Sequence, residues 1–191
     1  QAWFADNPIG SGKTIEAAIK RLNEGFSWRE ASWTELSLQS LGNGSVMRCA
    51  PIGLMYHQSE TLLWMNTETE ARLTHPHPIC VESSLFLNAL IARLIVMRDM
   101  SNRQLLAREA FSYALKFLSI KSLQETYGKA LETDQKPIGN VQKTIVAALR
   151  AFLSTDTYEH AVLIAANGRG DADTIAAVTG AMAGACYGEQ E

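Results

Sequence analysis

The sequence is 191 residues long, 47% apolar and 19% charged, with a net charge of −3; these figures suit a single domain over residues 1–191 and exclude a disordered or fibrous chain. It holds no block of five or more basic residues, so nothing in the charge pattern calls for nucleic acid or an anionic lipid surface.

The opening residues, QAWFADNPIG, lack the basic start and long apolar stretch of a secretion signal, and no later run of eighteen apolar residues suggests a membrane span. A cytoplasmic protein is expected. Cys49, Cys80 and Cys186 are odd in number, far apart and without a CxxC pair, which reads as buried reduced thiols. The chain has no initiator Met and starts, as though in mid-pattern, on the aromatic pair Trp3 and Phe4. Gly10-Ser11-Gly12-Lys13-Thr14 resembles the end of a phosphate-binding P-loop, but the motif's first glycine would fall at Asn7 and no buried strand precedes it. The simpler reading is a glycine turn leading into a helix near Thr14.

From there apolar residues recur at helical spacing over 14–24, 46–57, 62–73, 78–99, 104–118, 141–153 and 158–166, separated by Gly, Pro, Asn and Ser clusters. No segment reads as a strand. Within 78–99 the residues Leu85, Leu87, Leu90, Ile91, Leu94 and Ile95 predict one long buried helix opened by Pro78. Pro51 is expected to end or kink a short segment. Residues 119–140, rich in Lys, Glu and Gln, read as a solvated helix and loop. In the last helix, 173–188, Ala172, Ala176, Gly180, Gly184 and Gly188 recur every four residues. That bare face predicts close approach of another backbone in a soluble core, because helix-interior glycine costs up to about 1 kcal/mol against alanine.

Three segments carry candidate chemistry. In the loop 41–48 two glycines flank Asn43, so Gly44 and Ser45 could offer a backbone N–H and a hydroxyl to a phosphate, and Arg48 a bidentate contact or simply a salt bridge. Thr74-His75-Pro76-His77-Pro78 alternates histidine with proline; His57 and His160 are not spaced to complete a zinc site, so His75 reads as a pocket-edge contact or a satisfied core histidine. Finally, Asn167-Gly168-Arg169-Gly170-Asp171-Ala172-Asp173-Thr174 joins a glycine turn to a helix start. There Asp171, Asp173 and Thr174 could converge on a hard cation such as Mg²⁺, Mn²⁺ or Ca²⁺, or an aspartate could merely cap the helix.

In this order, GNGSVMRCAPIGL, THPHP and NGRGDADTIAAVTGAMAGACYG resemble the ADP-ribosylglycohydrolase family over nearly the whole chain. GDADT is similar to the bacterial members related to dinitrogenase-reductase-activating glycohydrolase, with Gly168 and Arg169 in exchanged order, which the local backbone should tolerate. The resemblance implies an all-α orthogonal helical bundle with a central cleft, two Mg²⁺ or Mn²⁺ ions, and ADP-ribose or an ADP-ribosylated protein as ligand. By motif, Asp171, Asp173 and Thr174 would be metal ligands, Asn43, Gly44 and Ser45 would border the ADP-ribose, and His75 and Arg48 would approach it. The reaction implied is hydrolysis that releases ADP-ribose, with arginine as the favoured linked side chain.

The family's early GD-x-x-G segment, its acidic residue and its Thr-Asp-Asp metal motif are not in this sequence, and the acidic position of its DIG-x-T-like region falls on Pro8; Asp6 is not an obvious substitute. The expectation is therefore an N-terminally truncated domain whose catalytic acids lie upstream and whose own turnover stays open. A homo-oligomer could cover the missing helices. The alternative function is a non-catalytic member, binding ADP-ribose or serving structurally as crystallin-like relatives do.

Overall fold

A computed structural model describes residues 11–133, 139–168 and 170–188. Its helices are α1 (Lys13–Asn23), α2 (Trp28–Ser32), α3 (Glu35–Gln39), α4 (Ala50–Met55), α5 (Glu60–Arg72), α6 (Pro78–Val96), α7 (Arg103–Leu115), α8 (Lys121–Gly128), α9 (Val141–Leu153), α10 (Tyr158–Asn167) and α11 (Ala172–Tyr187). No strand forms among the described residues, where the pairing of extended backbone is an isolated bridge between Gly42 and Asn140. The expected all-α class holds.

The core is organised around α6, 13 of whose 19 residues are buried, because α4, α5, α7, α9 and α11 pack on all its sides. By length and apolarity this helix could cross a membrane, yet 72% of the apolar window is buried within the protein, as for a core helix. A helix wrapped in this way must satisfy its polar side chains internally. The Ser83 hydroxyl therefore meets Tyr127 Oη at 2.6 Å, and Asn88 Nδ2 donates to Thr67 Oγ1 on α5 at 2.9 Å. Glu82, near the start of α6, accepts the backbone N–H groups of Ser119 and Ile120, both at 3.0 Å, and so holds the start of α8. Phe86 packs against Tyr127 and Phe111, with ring centres 5.0 and 6.1 Å apart. The three cysteines are buried, as expected, and none is bonded to another.

Several sequence expectations change. The stretch 119–140 is not simply solvated, since α8 puts Leu123 and Tyr127, four residues apart on one face, fully into the core. The helix expected over 46–57 is confined to Ala50–Met55, and Pro51 sits in its first turn, where the missing N–H costs nothing. Two short helices, α2 and α3, occupy a stretch the periodicity passed over; each is opened by a capping box, Ser27 with Glu30 and Thr34 with Ser37. The upstream positions Asp6, Asn7 and Pro8, the first glycine of the P-loop-like string, Gly10, and Arg169 lie outside the described residues.

The glycine stripe of α11 faces α10, but no backbone presses on it. A Cβ at Gly180 would meet Tyr158 Oη at 3.6 Å, and one at Gly184 would meet Tyr158 Cε2 at 3.8 Å, ordinary contacts both. Gly180→Ala and Gly184→Ala are therefore expected to stabilise the chain by about 0.5–1 kcal/mol each, through the lost flexibility of the unfolded state and better helix propensity. Urea unfolding checks this; a loss of stability would show that another surface packs on that face.

Candidate functional site

The loop 40–49 crosses the molecule between α3 and α4 and is stitched to the start of α9. Val141 donates its N–H to the Leu41 carbonyl at 2.8 Å, and Asn43 donates to the Gly139 carbonyl at 3.2 Å. Gly139 and Gly170, in the two turns that bring α9 and α11 to this loop, have φ of +66° and +77°, the left-handed region that favours glycine. Gly168 has φ −70°, which any residue adopts, so of the two glycines in this turn it is Gly170 whose backbone favours glycine.

One cluster forms on the α11 side of the loop. Asp171 stands at the N-cap of α11 but makes no side-chain capping bond to the helix backbone. Its carboxylate instead accepts from two side chains: Thr174 Oγ1 reaches Oδ1 at 2.9 Å, and Asn43 Nδ2 reaches Oδ2. Asn43 Nδ2 also donates to Thr144 Oγ1, a fully buried hydroxyl on α9, at 2.9 Å. Asp173 is exposed in the first turn of α11, its carboxyl held below the usual range chiefly by the Thr174 backbone N–H. The structure thus brings Asn43, Asp171, Asp173 and Thr174 together, and it adds Thr144.

A second cluster lies on the other side. His75, 2% exposed, has both ring nitrogens engaged: Thr74 Oγ1 at 2.7 Å from Nδ1 and Thr14 Oγ1 at 3.2 Å from Nε2. Thr74 Oγ1 also accepts from Arg48 Nη2 at 2.8 Å, and the direction of its bond to Nδ1 and of the Thr14 bond to Nε2 follows the imidazole tautomer. Burial first, and then the Arg48 charge, push the imidazole pKa down to about 4. In this chain His75 is therefore a neutral, satisfied core histidine rather than an open edge contact. Arg48 is likewise spent on protein: Nε meets Glu70 Oε1, and Nη1 donates to the Gly44 carbonyl at 2.6 Å. Burial raises the Glu70 pKa against the pull of Arg48. Ser45 is fully buried, and its hydroxyl finds no partner among the described residues.

Thr144, Glu70, Thr74 and Thr14 were not singled out as site residues from sequence. Thr14 and Thr74 lie inside motifs that were noticed, whereas Thr144 showed itself only as the polar member of the buried face of α9. The Cys49 and Cys80 thiols are not nucleophile candidates, since burial pushes both up to about 12.

Asp171, Asp173 and Thr174 offer oxygen donors, which suit a hard divalent cation in kind. In number they fall short of the roughly six such an ion takes, and no three His, Cys, Asp or Glu side chains gather round one point among the described residues. An ion here would complete its shell from water, ligand oxygens or side chains outside that set.

The all-helical core thus carries, where a glycine loop meets two helix starts, an aspartate whose carboxylate is clasped by side chains. A profile of the ADP-ribosylglycohydrolase family matches residues 1–191, and the chain belongs to that family. The ADP-ribosylarginine hydrolase Tri1 of Serratia proteamaculans is 31% identical over 181 residues, which cover 93% of this chain and 46% of that protein. The ADP-ribosyl-[dinitrogen reductase] glycohydrolase of Rhodospirillum rubrum is 28% identical over 195 residues, covering 97% and 58%. A solved structure described as an ADP-ribosylglycohydrolase-related protein complex superposes with a TM-score of 0.74 at 27% identity, over 98% of this chain and 61% of that one. The chain spans about half the length of the curated relatives it matches.

The His75 environment generates two expectations. The folded pKa near 4 lies below the ordinary 6.5, so the unfolded chain takes up a proton that the folded chain refuses. This contribution is intact above about pH 6.5 and is lost as pH falls toward 4, by up to about 3 kcal/mol. Unfolding midpoints measured across that window should fall for the parent chain and fall less for His75→Gln. Gly44→Ala should destabilise by about 1–3 kcal/mol at any pH, because its Cβ would stand 2.5 Å from His75 Cε1; chemical denaturation measures the loss.

Proposed function

We propose that this chain carries part of the ligand and cation site of a hydrolase that removes ADP-ribose from modified protein side chains, arginine foremost. The observation that supports this best is the state of Asp171. A plain N-cap would turn its carboxylate onto the helix backbone, whereas here both oxygens are held by side chains, Thr174 from its own helix and Asn43 from the loop. Clasping both oxygens holds the carboxylate in one orientation without spending it on the helix backbone, as a ligand-binding group requires. The names of the relatives supply the substrate class, and the matching motifs carry it to these residues.

Asp171, Asp173 and Thr174 would hold Mg²⁺ or Mn²⁺, which when bound would polarise the ribose oxygens and orient an attacking water. Asn43 keeps the Asp171 carboxylate in place, and the Gly42–Gly44 backbone, backed by His75, presents a narrow surface to the ligand. His75 stays neutral and buried and contributes shape and orientation rather than proton transfer. Three buried cysteines, none bonded to another, agree with a reducing, cytoplasmic setting.

A second reading, ligand binding without turnover, is favoured by two observations: Arg48 is tied to Glu70, Thr74 and Gly44, and the donors for an ion are few among the described residues. Thermal unfolding with and without Mn²⁺ and ADP-ribose tests the site itself. A ligand at a hundred times its Kd should stabilise by about 2.7 kcal/mol, and Asp171→Ala with Asp173→Ala should abolish the Mn²⁺ shift. No shift at millimolar ligand would sink both readings. Release of ADP-ribose from an ADP-ribosyl-arginine peptide then separates turnover from binding.

A further inference from the structure

We propose that Thr144 is a positioning residue for Asp171, acting through the side-chain amide of Asn43. The inference rests on the cation reading above for one of its two readouts and on geometry alone for the other. Asn43 Nδ2 carries two protons, and each has an acceptor: Thr144 Oγ1 at 2.9 Å and Asp171 Oδ2. The carboxylate decides which end of the amide faces it, because only the NH₂ end can donate. The hydroxyl then fixes the plane of the amide, since two acceptors on the two protons of one nitrogen leave no free rotation about the terminal torsion.

Thr144 is suited to that task. It is fully buried in the second turn of α9, a helix packed against both α6 and α11, so the hydroxyl sits on a rigid element. The backbone of Asn43 adds a tie to the same region through its N–H to the Gly139 carbonyl at 3.2 Å. Three segments distant in sequence therefore meet at one carboxylate: the loop 40–49, α9 and the start of α11. Without the Thr144 hydroxyl, one amide proton is left buried without its acceptor. The amide then turns to find another partner and loosens its hold on Asp171. Groups that orient a cation ligand in this way commonly govern affinity as strongly as the contacts of the ligands themselves.

The test uses the 191-residue chain and two measurements on Thr144→Val, which keeps the side-chain shape, and Thr144→Ser, which keeps the hydroxyl. In metal-free ¹⁵N–¹H spectra the Asn43 side-chain pair should be well separated and slow to exchange in the parent and in Thr144→Ser, and should collapse toward free-amide positions in Thr144→Val. Mn²⁺ titration followed by electron paramagnetic resonance should show affinity weakened about 10- to 100-fold in Thr144→Val and restored in Thr144→Ser. If Thr144→Val does not fold, Thr144→Ala, which favours the helix, carries the same expectations. Unchanged Asn43 amide signals overturn the proposal, as does unchanged Mn²⁺ affinity in a variant whose parent binds the ion. A parent chain that binds no Mn²⁺ refutes the cation reading, and the amide spectra alone then decide the role of Thr144.

Discussion

The site depends on a packing constraint: a buried imidazole stands close against the chain at Gly42 and Gly44. A Cβ at either position would come within 3.0 Å of the His75 ring, so only glycine lets the loop close onto it. Asn43 sits between those glycines and is thereby delivered to the opposite side of the loop, within reach of Asp171 and Thr144. His75 and Asn43 thus act as the back and the front of one thin wall. The imidazole stays neutral because burial makes its charged form costly and the nearby Arg48 charge repels a second.

The rest of the network keeps that wall in register. Arg48 ties the end of the loop to Glu70 and Thr74 at the end of α5, and Thr74 passes the constraint to His75 through its hydroxyl. Thr14 closes the ring from α1. Few of these bonds are worth much alone, since a net intramolecular hydrogen bond contributes about 0.5–1.5 kcal/mol. Their weight lies in the cost of leaving a buried polar group unpaired once α6 and its neighbours have excluded water around them.

Membership of the ADP-ribosylglycohydrolase family and this geometry point the same way from different directions. Family membership concerns ancestry and substrate class, while the side-chain clasp on Asp171 concerns what these residues can do. The two meet at Asn43, which the motif resemblance placed beside the ligand and the structure places on the carboxylate. Arg48 parts them, because its donors end on protein acceptors.

Much of the fold was legible because periodicity reports burial directly. The helical spacing of α6, α9 and α11 placed those helices within a few residues, whereas α2, which opens on the Ser27–Glu30 box, lies in a stretch that spacing passed over. Averaged composition concealed the burial of α8, where two core residues, Leu123 and Tyr127, are outvoted by polar neighbours. At the site, the sequence alone determined which residues carry oxygen donors at a helix start and where the glycine loop lies. Tertiary structure alone decided that His75 is buried and neutral, that Arg48 is spent on Glu70, and that Thr144 reaches Asn43 across about a hundred residues of chain. Local spacing fixes which face of a helix a side chain occupies, but not which distant segment meets that face; packing around α6 settles that.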